Sequence, residues 1–133
     1  MIDLSQMKRV VLPDEFPDDS KFIQLYINGE PFFRAKSPPL NRRVYHSDIL
    51  VAMLIEAGIK FEEGPDFAGD ISPIKKGENY ELIGAGIIYK NERGELLLLE
   101  NSIAYGLTPN QKHLEDLAQH LPEGIKLRIL ADK

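Results

Sequence analysis

Apolar and polar positions along the chain follow two periods, one near two residues and one near three and a half. Lys21 to Ile27, KFIQLYI, is rich in β-branched and aromatic residues and predicts a strand. Asn28-Gly29-Glu30-Pro31 turns the chain into a second strand, Phe32 to Ala35, with Asn28 and Gly29 free to take positive φ in the hairpin. The 20 residues before this hairpin, which end in LPDEFPDDS, read as an irregular lead-in. After the hairpin, Pro38 and Pro39 make KSPPLNRR a loop. From Ser47 onward Ile49, Leu50, Met53, Leu54 and Ala57 recur at helical spacing, and Gly58 is placed to end that helix. Lys60 to Glu78 is broken by Pro and Gly and predicts an excursion with one short strand at Lys60 to Glu63.

NYELIGAGIIY and ELLLLE flank the polar turn KNERG and predict a second hairpin whose continuous apolar runs suit central strands. Thr108, Pro109 and Gln111 have the order of an N-cap, an N1 proline and a capping-box residue, so a second helix is expected from there, with Leu114, Leu117, Ala118 and Leu121 as its buried stripe. Pro122 and Gly124 stop it, and IKLRIL supplies a last strand. Strands and helices therefore interleave as an α/β fold, one mixed sheet flanked by two main helices, in a single domain over residues 1–133.

Composition narrows the chemistry. With no cysteine, thiol catalysis, thiolate metal sites and disulfides are excluded. The 21 acidic against 16 basic residues, net charge -5, argue against broad binding of nucleic acid or an anionic membrane. An anion must then be caught by a local arrangement of backbone amides and a few cations. The first residues lack a signal-peptide pattern and no apolar run reaches membrane-spanning length, which sets the expectation of a soluble cytoplasmic protein; separately, a monomer is expected.

Three places could carry chemistry. Tyr45-His46 stands at the start of the first helix, where free N–H groups favour anions and an imidazole can serve as a base near neutral pH; the plainer role for such a histidine is to bond the local backbone. SIAYGLTP offers the Ser102 hydroxyl and small residues before the second helix, as a phosphate-binding nest does, although a plain turn from strand to helix explains it better on sequence alone. His113, Asp116 and His120 share helical spacing on what reads as an exposed face, and a solvated surface accounts for them better than a metal site. The glycines of IGAGII signal a bulge or a close backbone approach, and not a dinucleotide fingerprint, because a hairpin follows where a helix should. A similarity of GIIYKNERGELLLLE to the opening hairpin of Nudix hydrolases fails for want of the helical glutamate cluster.

LPD before the first strand, Lys21 at its start, YHSDI at the first helix, GAG in the central hairpin and SIAYG before the second helix together resemble the Janus/ocnus family of phosphohistidine phosphatases, in order and over nearly the whole chain. The resemblance implies metal-independent hydrolysis of phosphohistidine, or of a small phosphoramidate, with no cofactor. His46 would be the catalytic base. Ser102, Ile103 and Ala104 would bind phosphate through their backbone and the Ser102 hydroxyl, and Lys21 would contact it as well. Tyr45 and Gly106 match the signatures without needing to touch substrate.

The chain departs from the pattern in three ways. Ile87 stands where the family has an arginine after its glycines, Pro38 stands at the register of an upstream arginine, and the Lys60 to Glu78 segment is longer. Arg34, Arg42 and Arg43 are the nearest candidates to replace the missing charge. Water attack and a covalent intermediate on His46 are both open, and a non-catalytic anion-binding or protein-interaction module is the alternative function.

Overall fold

The computed structural model describes residues 4–40, 42–65, 71–100 and 105–130. Two strands, β2 (Lys21–Ile27) and β3 (Glu30–Lys36), form the first hairpin. Its turn has Asn28 at φ 51° and Gly29 at φ 81°, the paired positive values that a two-residue turn needs to match the strand twist. The lead-in is not wholly irregular as expected. Val10–Val11 forms a short strand, β1, parallel to β3, and Met7 and Val10 are buried. Two residues are too few to show a period, which is why the pattern hid them.

The first helix, α1, runs His46–Ala57 and buries Ile49, Leu50, Met53 and Leu54. Gly58 ends it at φ 73°, its N–H returning to the carbonyls of Leu54 and Ile55. Within the excursion the short strand lies slightly later than expected: β4 (Glu63–Pro65) pairs with β5 (Ile71–Pro73) as a separate ribbon. The central strand β6 (Tyr80–Lys90) pairs with β2 on one side and β7 (Leu96–Leu99) on the other, and β8 (Leu127–Ile129) adds parallel to β7. The mixed sheet thus has the order β1-β3-β2-β6-β7-β8.

The second helix, α2, is Gln111–Leu117, continued by a 3-10 turn over Ala118–His120. It starts later than Thr108 and Pro109 suggest. Asn110 is the cap, its Oδ1 accepting from the His113 N–H at 2.8 Å, and its own N–H is held by Gln24 Oε1 at 2.8 Å. The long-range bond to β2 fixes the start, and no local motif reports it.

One helix covers each face of the sheet. Ile23, Leu25, Ile27, Leu82 and Ala85 pack with α1, whereas Phe22, Phe33, Ile88 and Leu98 pack with Leu114 and Leu117 of α2. Burying such side chains contributes about 1.5–3 kcal/mol each. On β6 the register shifts between the Leu25–Leu82 and Gln24–Gly84 pairs. The extra residue, Ile83, changes which parity faces α1, so Leu82 and Ala85 reach the same core although they are three apart. A Cβ on Gly84 would stand 2.2 Å from Gln24 Oε1, and one on Gly86 would stand 2.0 Å from the Leu99 carbonyl. Both the bulge and the close approach expected of this glycine pair are present.

Candidate functional site

His46 opens α1 because Asp48 closes the turn before it: Asp48 Oδ2 accepts from the Tyr45 N–H at 3.1 Å. An acidic residue in the first turn also suits the positive end of the helix. That turn sends the imidazole inward, leaving His46 4 % exposed, while Tyr45 beside it is 53 % exposed. His46 Nε2 lies 3.0 Å from the Gly86 carbonyl. A carbonyl can only accept, so Nε2 carries the proton and Nδ1 holds the lone pair. No described residue forms a hydrogen bond with Nδ1.

Burial is the main reason the His46 pKa falls below the ordinary histidine value; the Gly86 carbonyl works in the opposite sense, and the charge of Lys21 lowers it further. His46 is therefore neutral around pH 7, with a proton-accepting nitrogen fixed in orientation. Lys21, at the first residue of β2, is the neighbouring cation. Its pKa is also lowered, first by burial, with Asp19 opposing and Arg43 reinforcing the shift. Its ammonium group makes a long contact of 3.5 Å to the Asp19 carbonyl. A cation that is partly desolvated and, among the described residues, without an ion pair is well suited to meet an anion.

The sheet register brings these parts together. Lys21 pairs with Ile87, and Phe22 with Gly86, so the carbonyl that orients His46 belongs to the strand next to Lys21. Gly86 lies one residue beyond Ile87–Leu99, where the β6–β7 pairing ends. Leu99 is thus adjacent to the His46 anchor, and the chain leaves the sheet there. The expected phosphate-binding residues Ser102, Ile103 and Ala104 lie outside the described residues. Tyr105, which follows them, is buried and donates to the Pro73 carbonyl at 3.0 Å.

Of the three arginines considered as replacements, Arg34 is committed elsewhere. It is buried, donates to the Phe33 carbonyl at 3.0 Å and pairs with Glu56 at 3.3 Å. Arg42 and Arg43 are exposed in the segment leading into α1, and the charge of Arg43 contributes to the lowered pKa of Lys21.

The histidines of α2 differ from their expected setting. His113 is fully buried and not on an exposed face. Its Nε2 donates to the Leu25 carbonyl at 3.1 Å and its Nδ1 accepts from Gln24 Nε2 at 3.3 Å, so both nitrogens are occupied. Asp116 accepts from the Tyr26 hydroxyl at 2.5 Å and pairs with Lys112 at 2.7 Å. Burial and this carboxylate together raise the Tyr26 pKa, keeping its hydroxyl protonated. The arrangement locks α2 to β2. Sequence reasoning missed it because Gln24, an isolated polar residue in an apolar strand, was the signal and was read only as part of the strand.

No protein-family model matches the chain, and no curated protein is significantly similar to it. The class that the structure defines is a mixed α/β fold, a six-stranded sheet with one helix on each face and a two-stranded ribbon beside it in the chain, and no helix among the described residues is long and apolar enough to cross a membrane.

Proposed function

We propose that the chain is a metal-independent phosphoramidate hydrolase of the Janus/ocnus type, acting on phosphohistidine in proteins or peptides. The observation that carries this reading is the fixed tautomer of His46. Nε2 is pinned on Gly86 O, Nδ1 is a neutral base, and the charge of Lys21, which has no ion pair among the described residues, acts on the ring. The sheet register adds support, because position 87, where the resemblance expects an arginine, is the direct partner of Lys21. A cation at 87 would share the α1-side strand face with Lys21. Lys21, position 87 and the Gly86 carbonyl that holds His46 thus lie side by side on two neighbouring strands.

In this mechanism Lys21 compensates charge on the phosphoryl oxygens, and the resemblance gives the Ser102 to Ala104 backbone and the Ser102 hydroxyl the same task. His46 Nδ1 takes a proton from water as the water oxygen forms its bond to phosphorus. The P–N bond breaks in line with that attack, and the departing nitrogen takes up a proton. The covalent route uses the same nitrogen: Nδ1 attacks phosphorus directly, and water later hydrolyses the phosphohistidine on His46. Brief acid-free quenching with labelled phosphoryl donor separates the two routes, since the covalent route alone labels the protein.

The test is phosphate release from a phosphohistidine peptide without added metal, comparing wild type with His46→Ala. Turnover in wild type and its loss in the variant support the assignment. A variant with full rate removes His46 from the chemistry. One observation favours a non-catalytic anion-binding module instead, namely that Ile87 and Pro38 leave phosphate charge less well compensated than in the resembled family. That reading predicts chemical-shift changes around Lys21 and His46 on titration with inorganic phosphate, and no turnover.

A further inference from the structure

A cavity of about 310 Å³, lined by Arg42, Arg43, Tyr45 and Asp48, opens at the start of α1. Its two guanidinium groups enter no ion pair among the described residues. In a chain with 21 acidic residues against 16 basic ones, two adjacent arginines without a carboxylate partner form a local exception to the charge of the molecule. Asp48 does not neutralise them both, and its Oδ2 is already used on the Tyr45 N–H. The ring of Tyr45 is half exposed beside them.

The cavity does not include His46 or Lys21, yet Tyr45 is the chain neighbour of His46 and Arg43 acts on the charge of Lys21. It begins at the residue next to His46 in the chain and is lined by neither His46 nor Lys21. A group bound there would belong to what surrounds the phosphorylated residue. Guanidinium groups recognise carboxylates through paired, planar hydrogen bonds, and a tyrosine ring can cover the methylene stem of a longer acidic side chain.

We propose that Arg42, Arg43 and Tyr45 form a specificity subsite for an aspartate or glutamate flanking the phosphohistidine, so that the preferred substrates are acidic segments. The proposal rests on the hydrolase reading above. Because both arginines face solvent, the discrimination is moderate and screened by salt.

The experiment compares kcat/KM for phosphohistidine peptides that differ only in a flanking Glu, Gln or Lys, using wild type and an R42Q/R43Q variant. Wild type is expected to favour Glu over Lys by about tenfold at low salt, as one charge-assisted contact allows. The preference should shrink to within about twofold in the variant or in 0.5 M salt, where the screening length falls to about 4 Å. Equal rates for the three peptides in wild type, or a preference that survives in R42Q/R43Q, overturn the subsite.

Fluorescence anisotropy of the same peptides without phosphate gives a readout that does not depend on turnover. Binding of the Glu peptide that is stronger than that of the Lys peptide and lost in R42Q/R43Q supports the pocket even if no phosphate is released, and in that case the hydrolase reading alone fails. Absence of any difference between the peptides by both methods overturns the pocket while leaving turnover of phosphohistidine, if seen, intact.

Discussion

The two faces of the sheet each bury a histidine, and the contrast between them separates a structural imidazole from a candidate catalytic one. His46, under α1, and His113, under α2, are nearly or fully excluded from solvent, and each donates Nε2–H to a backbone carbonyl. They differ at the other nitrogen. Gln24 occupies Nδ1 of His113, and the same glutamine holds Asn110, the cap of α2. Nδ1 of His46 receives no hydrogen bond from a described residue, and its neighbour is a cation. A histidine satisfied at both nitrogens cements two elements. One satisfied at a single nitrogen is oriented with a lone pair to spare.

The sharpest way to break this comparison is to remove each imidazole in turn. His46→Ala is expected to lower phosphohistidine turnover by about 100-fold to 10,000-fold, the range of general acid–base catalysis, in a variant whose circular dichroism matches wild type. His113→Ala should act on stability instead. It strips Gln24 and the Leu25 carbonyl of a partner and leaves a cavity under α2, costing about 2–4 kcal/mol in urea unfolding. At temperatures where the variant remains folded, its kcat should stay within a few-fold of wild type. Should His113→Ala abolish turnover in folded protein, the division of roles fails.

A smaller effect probes the charge around the first histidine. Ile87→Arg places a guanidinium on the strand position paired with Lys21, which is half-buried and on the same face. The expected result is a tighter complex with inorganic phosphate, about tenfold in Kd, as one additional charge-assisted hydrogen bond gives near a surface. The mirrored substitution at Ile88, on the α2 side, should instead unfold the protein, because that side chain is fully buried among apolar residues. Unchanged phosphate affinity in a folded Ile87→Arg variant would mean that phosphate does not sit beside Lys21.

Most of the elements were legible because their signals are local. The first hairpin needed only the β-rich run and Asn28-Gly29, and α1 needed only its apolar spacing and Gly58. What escaped depends on distant partners. β1 exists because Val10 and Val11 find the edge of β3, and the start of α2 is set at Asn110 by a glutamine far earlier in the chain. The same distinction applies at the site. His46 could be singled out from its position before a helix, but the carbonyl that fixes its tautomer is on Gly86, and nothing local to either residue announces the pairing. The sequence reading also put His113 on a solvated face, because Asp116 and His120 share its helical spacing and neither reveals that Gln24 draws the ring inward.

Acid offers the mildest test of the comparison. Burial lowers the pKa of both histidines, with the carbonyl contacts opposing; Lys21 pushes His46 further down, whereas Asp116 pulls His113 back up. A group whose folded pKa lies below its unfolded value of about 6.5 favours unfolding once protonated. Its stabilising contribution is present above that pH and is lost as the pH falls through 6.5 toward the folded pKa. Two such groups give a slope of at most about 1.4 kcal/mol per pH unit for each histidine, in a window above the range of the carboxylates. Urea unfolding at pH 7.5, 6.5 and 5.5 should show stability decreasing on the acid side, with His113→Gln and His46→Gln each removing part of the slope. Activity follows the same titration: kcat/KM should be flat through neutral pH and fall only below about 6.5, since a neutral Nδ1 is required. A rate that rises as His46 becomes protonated would contradict its role as a base, and would make the spare lone pair irrelevant to function.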